Sequence, residues 1–397
     1  MNRILLTYYK DRLFYGLWEG DRPVELAFYE KDPGFQIGDI CLARVKDIVP
    51  GIHAAFVQLS PSQNAYLPLE QAPEGIRCGD ELAVQVTKEA QKTKDPVVTA
   101  NLSLTGRLAV LVTDNTRISV SARIQDVSWK DETTRKLQAF LASSDKEYSC
   151  GFIIRTGAYQ ASWEELSQEI SALTRQYRQI RQAAVTRSCY SRLFISEPAW
   201  LSRLYHLQGK YMQEGKVSAG AEVLTDSSEI YDRCRDFLCR QNMTDTFSLR
   251  LYEDAGYPLR KLYRLDTVME DALRKNVWLK SGGYLVIEPT EAMVVIDVNT
   301  GKAEGRRSKE ENILQLNLEA AEEIARQLRL RNLSGMILID FIDMKEAGHQ
   351  IQVMNHLRDA VKSDPVGTTV VDMTKLGIVE CTRRKTEKPL HEQLRGI

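Results

Sequence analysis

Asp297 and Asp340 each close a short apolar run, Met293-Val-Val-Ile296 and Met336-Ile-Leu-Ile339, and Asn299 and Gly301 follow the first aspartate closely. Two carboxylates delivered to one place suit a hard cation such as Mg²⁺, which keeps several waters and takes only one or two protein carboxylates beside substrate phosphate oxygens. A cation held there polarises a phosphodiester and lowers the pKa of an attacking water. On residue types alone a plainer reading stands beside this one: each aspartate caps a turn leaving a strand.

The elements that must bring the pair together are legible on either side. Continuous β-branched runs of this length predict buried strands covered on both faces. Between them Ile313, Leu316, Ala320, Ile324 and Leu328 recur three or four apart, while Glu310, Glu311, Glu319, Glu322, Glu323, Arg326 and Arg329 fall mostly on the other faces. That spacing predicts an amphipathic helix. Strand, helix, strand returns the chain to a neighbouring position in one sheet, so both aspartates are expected at the same sheet edge.

The residues at this place are more specific than their types. Val295-Ile-Asp-Val-Asn-Thr-Gly301 and Ile339-Asp-Phe-Ile-Asp-Met344, joined through Asn317-Leu-Glu-Ala-Ala-Glu-Glu-Ile-Ala-Arg-Gln-Leu-Arg-Leu-Arg331, closely resemble the catalytic core of the ribonuclease E/G family of bacterial endoribonucleases. The resemblance implies that Asp297 and Asp340 bind Mg²⁺, that Asn299 orients Asp297 by hydrogen bonding, and that the three form the catalytic set. It implies hydrolysis of single-stranded RNA to a 5′-phosphate and a 3′-hydroxyl, in processing of RNA, ribosomal RNA included, and in messenger decay. Two other classes of function stay open: a non-catalytic RNA-binding protein, and a metallohydrolase of another phosphodiester.

The whole chain sets bounds on these readings. Its 397 residues suffice for two or more domains, and a hydrophobic share of 43% with 27% charged residues is that of a globular protein rather than a disordered one. A net charge of −1 excludes a polycation that binds nucleic acid through its bulk field, so RNA contacts must come from local patches. No apolar run has the length of a signal peptide or membrane span, which predicts a cytoplasmic protein. The seven cysteines are scattered without a Cys-x-x-Cys pair and read as reduced thiols, mostly core packing. The five histidines are equally dispersed, and nothing marks a pair for metal-free RNA cleavage. Well-known family members continue with a Cys-Pro-x-Cys zinc link and a small dimerisation domain. Neither occurs up to Ile397, so the expectation is no zinc, and any homo-oligomer not linked by it.

Residues 1 to 35 predict short strands around a turn at Gly20-Asp21, since Leu13, Tyr15 and Leu17 alternate and so do Val24, Leu26 and Phe28. From Gly38 to about Gly106, strands punctuated by Pro50-Gly51, Ser60-Pro61, Pro73 and Pro96 suit a small barrel. Phe56 and Tyr66 fall out of phase with their apolar neighbours and turn away from that barrel's core. With Arg44, Lys46, Lys88, Lys92 and Lys94 nearby they suit a base-stacking platform, and the plainer reading is packing under a loop or a neighbouring domain. Phe152-Ile-Ile154 runs into Arg155-Thr156-Gly157, and Ser162 with Glu165 marks a capped helix start. A strand-end Arg beside a hydroxyl can hold a phosphate by forked hydrogen bonds, although such a tripeptide is more often a surface turn. Arg175, Arg178, Arg181 and Arg187 on the helix read as a solvated face.

The resemblance covers nearly the whole chain, most strongly at 291–344 and 376–388. It implies an α+β multidomain protein: a discontinuous ribonuclease-H-like subdomain (1–35 and 200–275), an OB-fold RNA-binding domain (36–106), a 5′-sensor domain (107–199) and a DNase I-like catalytic domain (276–397). It matches Phe56, Tyr66 and, less closely, Lys94 to RNA contacts, and Arg155 and Thr156 to the residues that sense a 5′-monophosphate.

Overall fold

The first three strands form an antiparallel meander: β1 (Asn2–Tyr9), β2 (Arg12–Glu19) and β3 (Arg22–Glu30). The chain is represented by a computed structural model that describes residues 2–31, 34–90, 95–142, 150–213, 220–254, 256–301 and 309–395. It divides into two units, one built from residues 1–32 and 203–397 and the other from residues 33–202.

In the inserted unit, β4 (Ile40–Val49), β5 (Ala54–Ser60), β6 (Gln63–Pro68), β7 (Glu81–Lys88) and β8 (Val97–Thr99) pair in the order β4-β5-β6-β8-β7, and β7 returns to β4. The result is a closed five-stranded, OB-like barrel, which leaves no free edge among those strands. Its core is small and aliphatic, with Ala55, Val57, Leu59, Ala65, Leu67, Val84 and Val98 fully buried. The chain continues through β9 (Ser103–Thr105), β10 (Ala109–Val112), β11 (Ile118–Val120), α1 (Val127–Ala142), β12 (Gly151–Ile154), α2 (Trp163–Thr186) and β13 (Arg192–Phe194). Strands β9 to β12 form a second sheet, and β13 pairs with β4. Ser162 accepts from the Glu165 amide and Glu165 returns the bond, so the expected capping box starts α2. Leu166, Ile170, Leu173, Tyr177 and Ile180 then turn inward at helical spacing.

The larger unit resumes in α3 (Ala199–Gln213), then β14 (Ala221–Thr225), α4 (Ser228–Arg240) and β15 (Phe247–Leu251). Strand β14 pairs in parallel with β1, and β15 with β14, giving a sheet ordered β15-β14-β1-β2-β3. Alternation in β2 does not mean an exposed face: every residue from Leu13 to Trp18 is buried. On one side Phe14, Trp18 and Phe28 pack against α5 (Leu259–Leu262) and α6 (Leu265–Leu273). α5 and α6 are separated at Arg264, whose φ is +48°, and Leu262 and Leu273 stay exposed.

The last sheet comprises β16 (Asn276–Trp278), β17 (Tyr284–Pro289), β18 (Met293–Asn299), then α7 (Lys309–Leu330), β19 (Gly335–Asp340), α8 (Ala347–Val361), β20 (Thr368–Met373), β21 (Ile378–Arg383) and the short α9 (Leu390–Gln393). Its order is β16-β17-β18-β19-β21-β20, and β18 and β19 are parallel neighbours, as the strand, helix, strand pattern requires. Burial alternates along β18 and β19, so these strands are covered on one face and not on two. Val294, Ile296, Val298, Ile337 and Ile339 face α7 and α8, whereas Val295, Leu338 and the exposed Met336 lie on the open side. Apolar residues occupy both faces, which hides the alternation from the sequence.

α7 is buried on a second side as well, where the sequence suggests solvent. Glu323 pairs with Arg22 at 2.8 Å, Arg329 pairs with Glu25 at 2.8 Å, and Arg326 donates to the Pro23 carbonyl at 2.7 Å, all reaching β3. Burial pushes the Glu323 carboxyl up, but hydrogen bonds from Arg326 and Gln327 and the surrounding guanidinium charge outweigh it and hold the group below the usual range. Arg383, in the basic closing stretch, is likewise buried, with Nε 2.6 Å from Asp364. Cys41, Cys234 and Cys381 are core residues with thiols pushed up to about 12 by burial, while Cys78 and Cys239 are exposed rather than packed. No helix among the described residues is long and apolar enough to cross a membrane.

Candidate active site

Parallel register places Asp297 directly beside Asp340, each on the open face toward the end of its strand. Opposite positions in neighbouring strands share a face, so the two carboxylates stand together about one strand spacing, ~4.8 Å, apart at Cα. Asn299, two residues beyond Asp297 and therefore on the same face, donates from Nδ2 to Asp297 Oδ2 at 2.7 Å. The bond occupies one oxygen of that carboxylate and orients the other. Asp340 is exposed as a residue. Even so, partial removal of its carboxyl from water, followed by the charges of Asp297 and Asp343, holds it above the usual carboxylate range. The two carboxylates thus concentrate negative charge on one face of the sheet.

Asp343 enters this site from the loop after β19 and was not separable in the sequence from the motif around it. The loop is held by Asn317, a fully buried side chain in α7 that donates to the Ile342 carbonyl at 2.8 Å and accepts from the Ile342 amide at 3.2 Å. Two further α7 side chains do similar work. Glu310 accepts from the Lys345 amide at 2.8 Å, and Glu319 accepts from the Lys280 and Ser281 amides at 2.6 and 3.1 Å. One helix thus fixes the segments on both flanks of the aspartate pair. A polar Asn at a position the helical spacing assigns to the apolar side is the signal that points to Asn317. Gly301 has φ +53°, and a Cβ there would sit 2.3 Å from the Gly282 carbonyl oxygen, so only glycine lets β18 end against that turn.

In the other unit, Phe56 and Tyr66 are register partners on β5 and β6, half-exposed, with ring centroids 6.0 Å apart in an edge contact. Both point away from the barrel core, on the same side of the wall. Lys92 and Lys94 lie outside the described residues. Arg155 and Thr156 follow β12 directly, where Arg155 Nη1 donates to the Gly106 carbonyl at 2.7 Å and Thr156 opens a 3₁₀ turn. The guanidinium is therefore oriented by a backbone oxygen at the strand end, and both residues are half-buried.

The family profile described as the Ribonuclease E/G family matches residues 103–386. The chain is similar to a ribonuclease E of Nostoc sp. (33% identical, covering 90% of this chain and 52% of that protein). It is similar also to the ribonuclease G of Haemophilus influenzae (33%, 90% and 74%) and that of Escherichia coli K12 (30%, 90% and 74%). It therefore spans about half the length of the Nostoc relative and about three quarters of the other two. With the matched region holding the aspartate pair, Asn299, Asn317 and the Arg155 strand end, the chain belongs to the ribonuclease E/G family.

Proposed function

We propose that the protein is a Mg²⁺-dependent endoribonuclease that hydrolyses single-stranded RNA in RNA processing and messenger decay, in the cytoplasm. The observation that carries this reading is the in-register pair Asp297 and Asp340 on adjacent parallel strands, with Asn299 bonded to the first. Relatives named as ribonucleases support the choice of RNA. The donor set fits Mg²⁺: two carboxylates on an open face, crowded enough to raise Asp340, and, among the described residues, no larger His, Cys, Asp or Glu cage. Asp297 and Asp340 would hold the ion. When bound it supplies charge stabilisation at the phosphoryl group and a more acidic water.

The chain's own residues do the rest. Asn299 keeps Asp297 in one rotamer, and Asn317 holds the loop after Asp340, so the pair is preorganised rather than assembled on binding. Phe56 and Tyr66 stack bases of the single strand, with Lys94 as a further contact. Arg155 and Thr156 grip a 5′-monophosphate by charge-assisted hydrogen bonds. In this reading the strands around β1 and β14 form the ribonuclease-H-like subdomain and residues 276–397 the DNase I-like catalytic domain.

Cleavage of an end-labelled single-stranded RNA, with Mg²⁺ and with chelator, tests the reading. Ion-dependent products bearing a 5′-phosphate are expected, formed faster from 5′-monophosphate than from 5′-hydroxyl RNA. Arg155→Ala should reduce that preference while sparing circular RNA. RNA that is bound but never cut makes the protein a binding module, and equal rates on the two 5′ ends remove the sensor.

A further inference from the structure

The candidate active site continues sideways along its sheet into a pair of aromatic rings. Register sets Trp278 opposite Tyr284 and Tyr284 opposite Asn299, so these three side chains share a row and a face. The next row on that face holds Val286, Asp297 and Asp340. The two rings lie 5.1 Å apart, inclined by 50°, and Trp278 is 70% exposed. With strands about 4.8 Å apart, Tyr284 stands about one strand spacing from Asn299 and Trp278 about two.

This position is rigid. The turn between β16 and β17 is held by the two amides that donate to Glu319. A Cβ on Gly283 would lie 2.8 Å from the Asn299 carbonyl oxygen and 2.6 Å from Leu316 Cδ1, so the turn abuts both the end of β18 and α7. The strands that carry the rings are therefore held in register with Asp297. An indole left largely in water forgoes the burial that large aromatics usually obtain, and aromatic faces beside a reactive site are suited to a planar partner. The surrounding charge says which part of a nucleotide fits. Asp297, Asp340 and Glu380 share this face and disfavour a bare phosphate, Glu288 being paired with Lys275, whereas a base brings a π-face and no charge.

We propose that Trp278 and Tyr284 form a base-stacking subsite of the cleavage site, taking an unpaired base next to the scissile phosphate. The inference rests on the reading of Asp297 and Asp340 as a site that cuts RNA. A π-face accepts any base, so the subsite adds affinity and alignment without choosing sequence. It also excludes a duplex at the cut itself, because the bases of a duplex are already stacked on both faces by their neighbours.

The test uses the whole chain and a labelled single-stranded RNA, with binding measured in chelator and cleavage in Mg²⁺. Trp278→Ala and Tyr284→Ala should each weaken binding and raise KM about tenfold or more, with kcat changed less, and Trp278→Phe should restore most of the loss. An abasic nucleotide beside the cut should bring wild type and Trp278→Ala to the same KM. Unchanged binding and KM in both alanine variants, measured on a wild type that cuts RNA, overturns the subsite and leaves the nuclease reading standing. A wild type that binds through these rings but cuts nothing overturns the nuclease reading and leaves the stack. If Trp278→Phe is as poor as Trp278→Ala, the rings are a structural contact and the proposal fails.

Discussion

Two sheets of the larger unit are built from equally apolar strands and end up with opposite roles. In the sheet of β1 to β3, β14 and β15, the strand β2 is buried from Leu13 to Trp18 on both faces. In the sheet of β16 to β21, burial alternates, and the open face carries Asp297, Asn299 and Asp340. α7 touches both, giving its apolar side to the second sheet and its Glu323, Arg326 and Arg329 side to β3 of the first. A sheet covered twice has no surface left for chemistry. One covered once can hold charged groups at the rim of a rigid plate, with a helix behind them to fix the loops.

The largest expected difference between the sheets is kinetic. Asp297→Asn or Asp340→Asn should slow RNA cleavage about 10⁴-fold, a barrier increase of about 5 kcal/mol, while the melting temperature stays near wild type. Near-normal turnover in either folded variant would remove the carboxylate pair from the mechanism. The next effect concerns stability. Phe14→Ala, at a fully buried ring in the doubly covered sheet, should cost about 3–5 kcal/mol in denaturant unfolding, against about 1 kcal/mol for Leu338→Ala on the open face. Equal losses would mean that the open face is covered in solution.

A smaller effect separates binding from cutting. Phe56→Ala and Tyr66→Ala should each weaken RNA affinity by about 1–3 kcal/mol with the barrel still folded, as read by titration and circular dichroism. Normal binding in both would make the two rings ordinary wall residues. The smallest effect is a gain. Asp340 ionises at higher pH in the folded chain than unfolded, so the native state holds the extra proton and stability falls as pH rises through that window. Asp340→Asn should therefore stabilise the metal-free protein at neutral pH by on the order of 0.5 kcal/mol, given solvent screening at an exposed site. The gain should vanish below the ordinary carboxylate range, and Mg²⁺ should stabilise wild type alone. A variant less stable than wild type at pH 7 would mean the carboxyl is not under repulsion.

Much of the sheet that carries the aspartate pair was legible because its signals are local. Each run ends in its aspartate, the helix between them has unbroken spacing, and a strand, helix, strand connection brings the two strands side by side. What was not legible depends on distant partners. Glu323 and Arg329 sit on the polar side of α7, and only the approach of β3, some 300 residues earlier, turns them into buried pairs. Arg383 reads as one of a basic series until Asp364 closes on it. α1 left little trace, since only Thr133 and Leu137 are buried along its sixteen residues. Asp343 was visible as a residue but not as a member of the site, because its place is set by the Asn317 clamp.

The parallel pairing of β1 with β14 also governs how the molecule is made. β1 meets β2 within a few residues, yet its other edge waits for residues 221–225, some 219 positions later, with the whole inserted unit emerging in between. At about 5–20 residues per second of synthesis, that edge is presented to the cell for roughly 10–40 s. The nascent amino-terminal meander is thus a strand-pairing hazard, and release of chains truncated before β14 should send them to chaperones or aggregates.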